Sequence, residues 1–252
     1  MSIWGKIAGA AAGLAFVGPI GALLGALAGH LLVDRDSGKA SDNRDERGER
    51  KLRERDEIAF TIGVIALSAK LAKVDGTVTR DEVEVFKRVF PVPREEVANV
   101  GHLFNLAKHD VAGFDSYAKQ LASLFRGRPG MLEDLLDSLF VIAKADDRLH
   151  PGELEYLREV AKIFGFSEDA FQRIRASHFG ADREDPYVIL GVERSIDDGD
   201  LKRAYHRLVR ENHPDSLLAR GVPAEFVRMA TEKLASINGA YDNIKKERGI
   251  AG

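Results

Sequence analysis

The chain has 252 residues, 44% hydrophobic and 31% charged, with a formal net charge of -3 and no cysteine, which suits one or two globular domains plus an appendage rather than a disordered chain. Lack of cysteine excludes disulfides, cysteine-ligated zinc, iron-sulfur clusters and a cysteine nucleophile, and the near-neutral charge, with no isolated basic block, lacks the electrostatic footprint of a nucleic-acid binder. No His-Glu-x-x-His pattern, Gly-x-Ser-x-Gly elbow or phosphate loop ending in Gly-Lys-Ser/Thr occurs, so the sequence argues against an enzyme and against a bound cofactor.

From Ile7 to Val33 no residue carries a formal charge at neutral pH. As a helix, those roughly 27 residues would reach about 40 Å, more than a bilayer core of about 30 Å. Residues 1–33 therefore read as a membrane anchor with one transmembrane helix. Gly21, Gly25 and Gly29 recur at intervals of four, as do Gly9 and Gly13. Such small faces let two helices approach closely, and a homodimer through Gly21, Gly25 and Gly29 is the expectation. Pro19 would kink the helix near its middle. Three other readings stay open: a cleaved signal peptide, with Lys6 ahead of the apolar run and Ala26-Leu27-Ala28 as processing site; a buried soluble helix; and a membrane-inserted hairpin broken at Gly18-Pro19. Only Lys6 and the amino terminus precede the run, whereas Arg35, Lys39, Arg44, Arg47 and Arg50 follow it. By the positive-inside rule the carboxyl side is cytoplasmic.

Residues 34–55 form a mixed-charge linker of eight bases and seven acids, which can stay extended or continue the next helix as an exposed stretch. Its interleaved acids offset any attraction to anionic headgroups, so spacing is its expected role. Residues 56–180 are read as a run of amphipathic helices over 56–73, 80–90, 93–108, 114–126, 130–145, 151–164 and 168–177, punctuated by Pro93, Pro129 and Pro151, with no alternation long enough for a sheet. An internal repeat is visible. Ala72-Lys-Val-Asp75-Gly-Thr-Val-Thr-Arg-Asp-Glu82 matches Ala143-Lys-Ala-Asp146-Asp-Arg-Leu-His-Pro-Gly-Glu153, each a helix end, an acidic turn and a new helix with an acid in its first turn. Asp75, Glu82, Asp146 and Glu153 could converge on a divalent cation. An EF-hand is not available, because Thr77, Thr79 and Phe86 stand where oxygen ligands or the closing glutamate belong. The plainer reading, preferred here, is that the aspartates stabilise turns and the glutamates helix starts. The paired segments resemble the TerB-like helical domain named after tellurite resistance.

In residues 181–252, Ser195 and Asp198 suit a capping box at the start of a helix, and Asp197, Asp198 and Asp200 suit its positive end. Leu201, Tyr205 and Leu208 make an apolar stripe, while Lys202, Arg203, His206, Arg207 and Arg210 cover the other side. Pro214 cannot donate a backbone hydrogen bond and disfavours helical dihedrals at His213, so the helix must stop by Asn212 and the Asp215 carboxylate is held out on a turn. After Pro223 a second helix runs through Phe226, Ala230, Leu234, Ile237, Tyr241 and Ile244 to a stop at Gly249. Facing stripes pack the two antiparallel, with His213-Pro214-Asp215 at the tip.

Asp185-Pro-Tyr-Val-Ile-Leu-Gly-Val, Leu201-Lys-Arg-Ala-Tyr-His-Arg-Leu, His213-Pro-Asp and Ile237-Asn-Gly-Ala-Tyr, in that order and spacing, resemble the J domain of DnaJ-type co-chaperones. The segment from Ser216 to Gly221 with the following Val-Pro-Ala-Glu, and the ending Ile-Lys-Lys-Glu-Arg-Gly, are similar to the membrane-anchored, DjlA-type branch; Ser216 stands where many J domains carry lysine. The resemblance implies an all-α co-chaperone that docks on a DnaK-type ATPase and promotes its ATP hydrolysis, so the chemistry belongs to the partner. It implies that Asp215 meets an arginine of that partner, that Pro214 fixes the turn and His213 holds it, and that Lys202, Arg203, Arg207 and Arg210 form a basic docking face. It further implies a single-pass protein of the inner membrane with both C-terminal domains in the cytoplasm; export would part the J domain from its ATP-dependent partner. The rival expectation is a membrane-attached metal or stress sensor whose J-like end is only structural.

Overall fold

The computed structural model describes residues 3–10, 18–31, 45–72, 86–110, 112–144, 149–180 and 183–250. Every regular element among them is helical. The single helix expected over 7–33 is replaced by two, α1 (Ile3–Ala10) and α2 (Pro19–Leu31). Gly18 takes a φ of +83°, which a continuous right-handed helix does not contain, and Pro19 then starts α2 without needing a donor. At 1.5 Å per residue the pair reach about 12 and 20 Å, short of a bilayer core. Among the described residues no helix is long and apolar enough to cross a membrane. Both helices lie on the rest of the chain instead: Trp4 is buried and its Nε1 donates to the Pro91 carbonyl at 3.1 Å, and the Ile20 amide donates to Gln120 Oε1 at 3.0 Å.

The charged linker is partly helical. Helix α3 (Asp45–Leu71) starts inside it, exposed at Lys51, Leu52 and Arg53, and is then buried on every side from Ile58 to Leu71. A helix apolar all round must be central, and α3 is enclosed by α4 (Val97–His109), α5 (Phe114–Leu124) and α6 (Pro129–Ala143). Gly63 permits the closest approach, since a Cβ there would lie 2.7 Å from Leu121 Cδ2. Helices α7 (Pro151–Ile163) and α8 (Glu168–Phe179) complete this middle region. Of the helix expected over 80–90, only the part from residue 86 lies within the described residues.

The last quarter contributes α9 (Pro186–Leu190), α10 (Asp198–Glu211), α11 (Pro214–Arg220) and α12 (Arg228–Arg248), the last closed by Gly249 in the left-handed region as its position after the stripe suggested. Apolar packing crosses the expected boundary at 180/181. Ala176 of α8 joins Tyr187, Leu201, Leu208, Ile237 and Ile244 in a small core, whereas Leu217, Val222, Phe226 and Met229 belong to the large core of the middle region. Phe226 is fully buried, its ring 5.3 Å from Phe60 and 4.3 Å from Phe90. Phe226→Ala should therefore lower the stability of the packed helical unit by about 3–5 kcal/mol. Urea unfolding followed by circular dichroism measures this; a loss within error of zero would place the α11–α12 loop outside the core.

Candidate functional site

Helix α10 begins two residues later than the capping-box reading placed it. Asp197, not Ser195, is the cap, accepting the Asp200 amide at 2.9 Å, and bonds from that residue hold its carboxyl below the usual range. The Ser195 hydroxyl turns to Glu193 instead. Leu201, Ala204 and Leu208 are buried against α12, and Tyr205 stacks on Tyr241 with ring centroids 4.0 Å apart. The opposite face carries Lys202, Arg203, Arg207 and Arg210, all exposed. Among the described residues, Arg203 is the one of these four held in an ion pair, with Asp200.

The helix ends at Asn212, whose Nδ2 donates to the Leu208 carbonyl at 2.8 Å. His213 then takes extended dihedrals, and its Nδ1 accepts the Asp215 amide at 3.2 Å, so the imidazole caps a new helix with Pro214 in its first position. The tripeptide thus opens the seven-residue α11 rather than a plain turn. That places Asp215 in a first turn, where an acid is favoured, and leaves its side chain 86% exposed with Nδ1 of His213 3.6 Å away. Ser216, in the position where lysine is common, donates to the Arg210 carbonyl at 2.6 Å and stitches the two helices together. All seven expected docking residues therefore fall within α10 and the start of α11, about 16 Å along α10 from Lys202 to the tripeptide, and all but the half-buried Pro214 are exposed. An exposed carboxylate beside a row of cations can accept charge-assisted hydrogen bonds from a guanidinium while the row meets an acidic surface.

A second constellation was not visible in the sequence. Glu133, Asp134 and Asp137 on α6 face the C-terminal helices. Arg220, at the end of α11, forks onto Asp134 with bonds of 2.9 and 2.8 Å, and its third donor reaches the Glu211 carbonyl at 2.7 Å. Lys233 of α12, 4% exposed, reaches Glu133 and Asp137 at 2.7 Å each. Arg173 and His178 of α8 close the network on Glu133 at 2.8 Å and Asp137 at 2.8 Å. Burial works against ionisation here, yet the cations win at two acids: Lys233 and Arg173 hold Glu133, and Lys233 and His178 hold Asp137, below the usual carboxylate range. At Asp134, burial prevails over Arg220 and pushes the carboxyl up to about 7. Partners 40 to 100 residues apart leave no local signal; at most, three acids within one otherwise apolar helix could have drawn notice.

Of the acids in the repeat, Asp75, Glu82 and Asp146 lie outside the described residues. Glu153 is spent as a cap, accepting the His150 amide at 2.9 Å. No group of three or more His, Asp or Glu suited to a metal is found among the described residues.

Comparison with known proteins adds three matches. Residues 61–176 match the model of tellurite resistance protein TerB, residues 185–249 that of the DnaJ domain, and residues 1–48 that of the co-chaperone DjlA transmembrane domain. The co-chaperone protein DjlA of Vibrio vulnificus is 30% identical over 226 residues, covering 76% of this chain and 79% of that protein. The DjlA of Salmonella typhimurium is 29% identical, covering 99% and 100%, and that of Coxiella burnetii 27%, covering 98% of each. No solved structure matches.

Because His213 is exposed and caps only a short helix, His213→Gln should cost at most about 1 kcal/mol. Thermal and urea melts of the full chain check this; a loss several times larger would make the tripeptide part of the structural frame.

Proposed function

We propose that this chain, which belongs to the DjlA family of co-chaperones, docks on a DnaK-type chaperone through α10 and the start of α11 and stimulates its ATP hydrolysis. The observation that carries the proposal is the Asp215 carboxylate, 86% exposed on a helix start capped by His213, at the end of a basic strip in a segment that matches the DnaJ domain. Asp215 offers its charge to an arginine of the partner. Pro214 and His213 set the backbone that presents it. Lys202, Arg203, Arg207 and Arg210 steer the encounter and set the register against an acidic surface. ATP is cleaved by the partner, so this chain supplies contacts and no catalytic group.

Residues 1–33 anchor the protein in the inner membrane with residues 34–252 in the cytoplasm. The uncharged run and the DjlA transmembrane match support this. Entry into a bilayer requires Ile3, Trp4, Ile7, Ile20, Leu23 and Leu24 to leave the bundle on which they are buried, so membrane insertion and the packing seen here are alternative states of one segment. Two anchors pair through Gly21, Gly25 and Gly29; a methyl added at Gly25 would meet nothing within 4 Å.

Single-turnover ATP hydrolysis by a DnaK-type chaperone, with the full chain in liposomes, tests the docking. His213→Gln and Asp215→Asn should abolish stimulation, the latter by removing charge while keeping shape. Arg207→Glu should weaken docking in a salt-sensitive manner and leave residual stimulation at excess partner. Full stimulation by a folded His213→Gln variant would refute the assignment. For topology, a reporter fused after Gly252 should lie in the cytoplasm on a mature chain that keeps Met1; a soluble mature chain beginning near Gly29 would show a signal peptide instead.

A further inference from the structure

We infer that Arg220 is a positioning residue for the stimulation proposed above: it fastens the His213–Asp215 segment to α6, so that the full chain offers Asp215 to its partner in one fixed orientation. Arg220 uses its donors on two elements at once, Asp134 of α6 and the carbonyl of Glu211. That carbonyl belongs to the last turn of α10, where acceptors lack helical partners and a cation is favoured. It lies two residues before His213. The same guanidinium therefore closes the α10 end, spans the short α11 and holds both to the middle region.

The surroundings leave little freedom. The Asp134 side chain is 4% exposed, and Gly130, one turn before it, lies so close that a Cβ there would be 3.1 Å from Arg220 Cδ. Leu217 is buried on the same side of α11, while Asp215 and Leu218 face outward. A planar guanidinium forked on a carboxylate fixes direction as well as distance, which an ammonium cannot reproduce. Lys233, bonded to Glu133 and Asp137, supplies a second fastening from α12. Two fastenings on one face of α6 resist rotation of the hairpin, and a single one would act as a pivot. Removing Arg220 does not strand a buried anion, because Asp134, with its carboxyl already pushed up to about 7, can take up a proton.

The test uses the full chain in liposomes with a DnaK-type chaperone and ATP, comparing Arg220→Gln, Asp134→Asn, Arg220→Lys and His213→Gln. Arg220→Gln should keep the half-saturating partner concentration within about twofold, since the basic strip is untouched, and lower maximal stimulation roughly tenfold, the scale of a small misplacement. Asp134→Asn should fall in the same direction, and the double variant no further than the worse single one. Arg220→Lys should recover part of the maximum. The chain has no cysteine, so spin labels at Lys119→Cys and Lys202→Cys report the hairpin's orientation directly, and their distance distribution should broaden in Arg220→Gln. Full maximal stimulation by Asp134→Asn or Arg220→Gln, or an unbroadened distance, overturns the inference. If Arg220→Gln does not fold, Asp134→Asn and Arg220→Lys decide. His213→Gln separates the two readings: should it also stimulate fully, the docking assignment itself has failed, whereas its failure beside a fully active Arg220→Gln removes only the positioning role.

Discussion

Three acids on one face of α6 can be buried only if cations are delivered to them, because an uncompensated charge in the interior costs several kcal/mol. Arg173 and Lys233 bring cations to Glu133 and Asp137, and Arg220 reaches Asp134, whose carboxyl burial pushes up to about 7. One of these cations comes from the middle region and two from the C-terminal hairpin. The middle region therefore does not reach electrostatic balance until the hairpin is seated. Phe226 and Leu217 reinforce the seat with apolar area, but hydrophobic contact is non-directional; the charges select the orientation.

That orientation leaves the proposed docking face exposed. The stripe of α10 that packs on α12 and the end of α11 that reaches α6 are both turned inward, while the cations of α10 and the Asp215 carboxylate are among the groups that remain on the outside. At the other end, α3 runs unbroken from the charged linker into the centre of the bundle. A helical spacer is stiffer than the extended linker that the sequence also allowed. Among the described residues from Asp45 to Asp215 the regular elements are all helices, with the buried ion network joining the last of them to α6.

Much of this was legible in the sequence because it depends on local pattern. The apolar stripes of α10 and α12, the glycine stop at Gly249 and the break at Pro214 all follow from periodicity and backbone chemistry, and the tripeptide stood out through its ordered neighbours. Errors arose where two local solutions compete. Ser195 and Asp197 are both good caps, and only the packed geometry chose Asp197. Histidine is not a common cap, so α11 read as a turn. Along residues 7–33 hydropathy is blind to the positive φ of Gly18, which precedes the start of α2 at Pro19. The ion network was illegible for another reason: acids in an amphipathic helix read as solvent-facing, and their partners lie 40 to 100 residues away.

The central claim, that the exposed strip of α10 and the start of α11 form the docking site, is met most directly by hydrogen exchange. Amides of the full chain would be followed by mass spectrometry with and without an ATP-bound DnaK-type chaperone. The expected footprint is slowed exchange in peptides covering Lys202 to Ser216, with α4 and α5 unchanged. Slowed exchange confined to the middle helices, with the His213–Asp215 peptide unaffected in a complex shown to form, would contradict the account.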